Sequence, residues 1–165
     1  MSTSYLAPLQ LKGLTLSQCD YKIEDTPAEQ MSLSMDTDAT MEQMVETEGS
    51  FELAAELGVT ADLVDAHDPK TTCLHSYARV RVDVAIPKSL VPDASVAQNY
   101  LCLNATSIGY SHIRSCLMMI MGLSPAAGIM LPAVLPQPLA DAAFESSKES
   151  PERGATERGE SERDA

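Results

Sequence analysis

The sequence predicts an α+β fold in which strands come first and helices last, and three observations carry that prediction. Residues 51–63 and 74–86 alternate between apolar and polar side chains, the pattern of an antiparallel sheet with one buried face and one wet face. A turn signal at Asp65-Ala66-His67-Asp68-Pro69 joins the two runs into one long hairpin. From Ser111 onward the apolar spacing lengthens from two residues to three and four, the period of a helix.

The first strand is expected over Leu9–Ile23. Leu9 and Leu11 share one parity, Leu14 and Leu16 take the other, and Cys19, Tyr21 and Ile23 return to the first. A switch near Lys12-Gly13 is what a β-bulge produces, because one extra residue flips the facing side chains. Met31, Leu33 and Met35 alternate with Ser32 and Ser34, a short second strand after the Thr26-Pro27 turn. Residues 36–49 are acidic and weakly patterned, and read as a loop or one helical turn using Met41, Met44 and Val45.

The third strand places Phe51, Leu53, Ala55, Leu57, Val59, Ala61 and Leu63 on one face. The fourth places Leu74, Ala78, Val80, Val82, Val84 and Ile86 inward, with His75, Tyr77, Arg79, Arg81 and Asp83 opposite. Arg79 and Arg81 are expected to pair across the hairpin with Glu52, Glu56 or Asp62. Asp93 is a fitting N-cap for a short helix ending near Leu103. A second helix follows over Ser111–Met121, with Ile113, Cys116, Leu117, Ile120 and Met121 on one face and Gly122 as its stop. Met118 and Met119 make the opposite face apolar as well, and a helix apolar all round needs cover on both sides. The segment Cys116, Leu117, Met118, Met119, Ile120 is therefore expected at a homo-oligomer interface. Beyond it lie an apolar extended loop over Pro125–Pro136 and a last helix begun by Leu139, Ala142, Ala143 and Phe144.

Composition bounds the rest. The organisation expected is a flexible N-terminus over 1–8, one domain over 9–144, and a disordered acidic tail over 145–165, where no apolar run occurs. A net charge of −13 argues against nucleic acid, whose phosphates reward clustered Lys and Arg. The imbalance is local: residues 20–68 hold fourteen acids against one base, Lys22. Nine methionines beside two Phe and no Trp are suited to surfaces that accept varied apolar partners, or to filling gaps in a core. Cys19, Cys73, Cys102 and Cys116 form no C-x-x-C pair, so no metal is expected, and free thiols fit a reducing cytoplasm. The uncharged run between Arg114 and Asp141 is long enough to span a bilayer, but Gly122, Pro125, Gly128, Pro132, Pro136 and Pro138 break it. No integral membrane span is expected.

Catalytic motifs are missing. The chain has no Gly-rich phosphate loop, no H-E-x-x-H and no G-x-S-x-G, and His67, His75 and His112 follow no ligand spacing. The chain is not expected to be an enzyme, and no cofactor is implied.

The run Leu103-Asn104-Ala105-Thr106-Ser107-Ile108-Gly109-Tyr110-Ser111-His112-Ile113-Arg114 resembles the SecB signature, an L-x-V-N-C-P-x-I-L-F-P-Y-A-R-E stretch entering the long helix. Leu131-Pro132-Ala133-Val134 is similar to the family's L-P-P-V-N-F segment. The matching positions are Asn104, Ile108, Tyr110, Arg114, Leu131, Pro132 and Val134, and the resemblance extends over roughly residues 9–145. It implies a four-stranded antiparallel sheet with helices packed on one side, assembled as a homotetramer, a dimer of dimers. It also implies an ATP-independent holdase chaperone in the cytoplasm, binding unfolded or non-native polypeptides for protein export and translocation. Val82, Val84, Tyr110, Ile113, Ile129, Leu131 and Val134 are the implied client-binding residues. The family's export partner is SecA, met through acids on the first strand, where this chain has Gln18 and Lys22. The alternative is a SecB-like chaperone dedicated to one partner, such as an antitoxin, without SecA coupling.

Overall fold

The computed structural model describes residues 9–24, 30–91, 93–122, 131–133, 137–138 and 140–141. The expected N-terminal stretch, Ile129, Val134 and the tail lie outside the described residues. In chain order the elements are β1 (Gln10–Ile23), β2 (Met31–Met41), β3 (Val45–Glu46), β4 (Ser50–Asp65), β5 (Thr72–Pro87) and α1 (Ala94–Gly122).

All pairings are antiparallel, and the sheet runs β1-β5-β4-β2. β3 pairs with β4 and continues the edge that β2 begins, so five strands fill four lanes. The β4–β5 hairpin is tied by its turn. Asp68 accepts from the Lys70 amide at 3.3 Å and the Thr71 hydroxyl at 2.9 Å, and Asp65 accepts from the His67 amide at 2.7 Å.

α1 packs on β4 and β5. Its buried positions include Ala97, Leu101, Ala105, Gly109, Ile113, Leu117 and Met121, one every fourth residue. They meet the inward rows of β4 and β5, where Leu57, Val80 and Val82 are fully enclosed. The small residues stand where helix and sheet come closest. A Cβ on Gly109 would lie 3.0 Å from Leu57 Cδ1 and 3.1 Å from Val82 Cγ2.

Three expectations need correction. Residues 36–41 are strand, since β2 runs to Met41. The acids that blurred its pattern, Asp36 and Asp38, sit on the outer face, and Asp38 is paired there with Arg79 of β5. That partner is two strands away and leaves no local signal.

The two expected helices are one of 29 residues. Its polar middle satisfies itself inside the helix: Asn104 Nδ2 donates to the Tyr100 carbonyl and Thr106 Oγ1 to that of Cys102, both at 2.8 Å. Asp93 caps the start as expected, accepting from Ser95 N at 2.8 Å and Val96 N at 3.0 Å.

The outward face of α1 is also less apolar than expected. Ser107, Ser111 and Ser115 share it with Met119, whereas Met118 is half-buried.

Candidate functional site

Among the described residues, α1 packs on the two central lanes, and the helix side of the sheet has two flanks beyond it. On β1, Leu11, Leu14, Leu16, Cys19, Tyr21 and Ile23 stand opposite Val84, Val82, Val80, Ala78, Ser76 and Leu74. Those partners are inward residues of β5, so every apolar side chain in this list faces the helix side. Two register shifts, at Leu11/Gly13 and Leu16/Gln18, absorb the parity switches that would otherwise turn half of them outward. This flank is open: Tyr21 is 61% exposed and Leu11 50%.

On the other side, Leu33, Met35, Ala39 and Met41 of β2 stand opposite Leu63, Ala61, Leu57 and Ala55 of β4. These four are half-buried or buried against the core.

The helix divides its own side chains between the flanks. Cys116 faces β1: the Cys19 thiol is pushed up by partial burial, then by the nearby Cys116, then by Asp20. Met118 comes two residues later, about 200° around the helix, and so faces β2. Its sulfur accepts from the Leu131 amide at 3.2 Å. Arg114 and Tyr110 lie about one and two turns before Met118 on that side. Tyr110 Oη donates to the Pro132 carbonyl at 2.8 Å, and Arg114 Nε to the Leu131 carbonyl at 2.9 Å. Burial pushes the Tyr110 phenol up, against a smaller opposing pull from Arg114. The two motif segments separated in sequence are thus clamped together in space, with Leu131 buried at their junction.

The outer face of the sheet is a charged lattice. Arg81 reaches Glu42 at 2.5 Å, Asp83 at 3.1 Å and Glu56 at 3.8 Å, and His75 Nδ1 meets Asp62 at 2.7 Å. Glu56 and Asp62 were expected partners for the arginines. Arg81 does meet Glu56, while Asp62 takes His75 and Glu52 takes Lys12 at 3.8 Å.

The other residues singled out in the sequence fall as follows. Val82, Val84, Ile113, Leu131 and Tyr110 are buried, so they form the wall behind the flanks and not an open groove. Leu117 is fully buried against the sheet, because the helix turns it into the core stripe. Cys116, Met118 and Ile120 are half-buried at the helix sides, and Met119 is 67% exposed. Asn104 is bonded within the helix and Ile108 packs at its edge. The exposed apolar row of β1 and the half-buried row of β2 were visible in sequence as strands but not as surface. Parity gives a side chain's face, but only the helix position decides which part of that face stays uncovered.

This fold matches a solved structure from Mycobacterium tuberculosis, a SecB-like chaperone in complex with a ChAD peptide from the HigA1 antitoxin. The TM-score is 0.56 at 10% sequence identity, over 76% of this chain and 90% of that one. The chain has a SecB-like fold. No protein-family model matches it, and no curated protein matches it either. Among the described residues, no helix is long and apolar enough to cross a membrane, and no cluster of His, Cys, Asp or Glu could hold a metal ion.

Proposed function

We propose that this protein is a SecB-like chaperone that holds unfolded or non-native polypeptide segments without nucleotide. The observation that carries the reading is the β2 flank: Leu33, Met35, Ala39 and Met41 beside Met118, on a SecB-like fold. Flexible, polarizable Met and Leu side chains re-pack around different apolar partners, and binding many sequences needs little fixed polar geometry. The β1 flank, with exposed Leu11, Leu16, Tyr21 and Ile23 beside an α1 whose sole charged residue is Arg114, is read as a subunit contact in a cytoplasmic dimer of dimers.

The test is a mass measurement together with an aggregation assay on a chemically denatured test protein, without nucleotide. Four subunits and suppressed aggregation are expected. A single-subunit particle that leaves aggregation unchanged would sink the proposal.

A second reading is a chaperone dedicated to one partner, favoured by the antitoxin peptide held by the structural neighbour. One stoichiometric partner in a pulldown, with no protection of denatured test proteins, would select it. Export through SecA is assigned by adding purified SecA, and a Lys22→Glu change on β1 should strengthen that contact if it exists.

A further inference from the structure

Two of the four thiols meet at one place in the fold. Cys19 lies on β1 directly opposite Ala78 of β5, on the helix side of the sheet. α1 follows β5 after a short connection at the Pro87 end, and so runs back along that strand toward Leu74. Gly109 faces the sheet at Val80 and Val82. From position 109 to Cys116 the helix turns about 700°, close to two full turns, so Cys116 faces the sheet as Gly109 does. Over the same stretch it advances about 10 Å, or about three strand residues, which puts Cys116 level with Ala78. Ala78 is fully buried, and its single methyl group leaves room above that row for the two thiols.

The electrostatics agree with this placement. The Cys19 thiol is pushed up first by partial burial and next by Cys116, ahead of its own chain neighbour Asp20. Cys19 is exposed and Cys116 half-buried, whereas Cys73 and Cys102 are buried. Arg114, the charged residue of α1, is turned away to the Leu131 carbonyl.

We propose that Cys19 and Cys116 form a reversible intrachain disulfide that clips the edge strand β1 to α1, made by exchange with a low-molecular-weight disulfide such as oxidised glutathione. The Cys19 thiolate attacks one glutathione sulfur, giving a mixed disulfide and one glutathione thiolate. The Cys116 thiolate then attacks the Cys19 sulfur and expels the second glutathione thiolate. The protein sulfurs lose two electrons, the oxidised glutathione gains them, and the two thiol protons pass to the leaving glutathiones. Cys19 acts first because it is the accessible thiol. The bond needs Cα atoms within about 7 Å of each other. The register shift at Leu16/Gln18, directly before Cys19, loosens the ladder where β1 has to close on the helix. The clip joins β1 to α1, the first and last elements of the described fold, so it closes a long covalent loop and restricts the unfolded chain far more than the folded one. The inference goes beyond the chaperone reading and stands apart from it.

The experiment incubates the full chain in glutathione buffers of rising oxidised fraction, and follows intact mass, a non-reducing peptide map and the urea midpoint. Expected are a species lighter by two hydrogens, a linked pair of peptides carrying Cys19 and Cys116, and a urea midpoint above that of the reduced chain. Cys19→Ser and Cys116→Ser should each abolish the lighter species and the midpoint shift. The double change Cys73→Ser with Cys102→Ser should keep both, and the peptide map of the parent reads the pairing without any substitution. Chains linked to each other through Cys19, glutathione adducts in place of the internal bond, or an oxidised form no more stable than the reduced one overturns the proposal.

Discussion

Arg79 of β5 reaches across the whole width of β4 to pair with Asp38 of β2, and the residue it crosses is Gly58. Asp38, Gly58 and Arg79 are consecutive partners in one row of the sheet. A side chain on Gly58 would run into the Asp38 carboxylate and lie 2.8 Å from Tyr77 Oη. The atoms it would meet are the ends of flexible side chains that can swing aside, so Gly58→Ala should displace the ion pair and cost no more than about 1 kcal/mol in chemical denaturation. The ion pair itself is half-exposed and contributes no more than about 1 kcal/mol, so Asp38→Ser alone should cost no more than that. In the Asp38→Ser background the glycine change should be cheaper than in the parent, a non-additivity that a double-mutant cycle reads directly.

Gly109 sets the distance between helix and sheet. Alanine there gains about 1 kcal/mol of helix propensity but presses on Leu57 and Val82. Gly109→Ala should stay within about 1 kcal/mol of the parent, since the two effects oppose each other. Gly109→Leu should cost about 3 kcal/mol, because the helix must lift from the core. Adding Leu57→Ala should recover part of that loss, measurable as a rise in melting temperature.

Tyr110→Phe removes the bond to the Pro132 carbonyl and should cost about 1 kcal/mol near neutral pH. The pH dependence has a definite sign. Burial raises the phenol in the folded protein, so the unfolded chain loses its proton first, near the ordinary value of 10.0. The contribution of the neutral phenol is complete below that value and is lost as pH rises through the folded one. The parent should therefore lose stability above pH 10 more steeply than Tyr110→Phe. Denaturant midpoints across that range check it.

The Cys19 thiol is held up in part by Cys116. Replacing Cys116 with Ser removes that repulsion, lowers the Cys19 value and enlarges its thiolate fraction. Alkylation of Cys19 by iodoacetamide above pH 9, where thiols ionise, should then be faster in Cys116→Ser than in the parent, because the thiolate is the nucleophile. An unchanged or slower rate would show that the two thiols do not sense each other.

The hairpin was legible in full, because β4 and β5 are the central strands and their alternation is set by burial under one helix. β1 was legible down to the first of its two register shifts, since a bulge leaves its mark as a change of parity. β2 was only half legible. Of its outward acids, Asp38 is paired with Arg79 of β5, a relation between residues 41 apart in sequence. The single helix was split in reading for a geometric reason. Four residues turn a helix by about 400°, so a stripe with one member every fourth residue drifts about 40° per step. The face that is buried at Ala97 is not the face buried at Met121, and no fixed apolar side can be drawn through both. In the candidate site, the junction of Tyr110 and Arg114 with Leu131-Pro132 was foreshadowed by the family resemblance. The open rows on β1 and β2 were not, because exposure depends on where the helix ends its cover.

Among the described residues the outer side of β2 is unpaired, and such an edge invites its own copies as readily as a partner. Two β2 strands meeting antiparallel would set Asp36 and Asp38 of one chain beside those of the other, and like charges facing each other across a ladder are destabilising. Salt weakens that repulsion within a Debye length of about 8 Å at physiological ionic strength. The acids on this strand therefore keep the molecule's own stickiness directed outward, and crowding by identical chains is tolerated in dilute salt and penalised in concentrated salt. Storage and purification conditions follow from the same row of carboxylates.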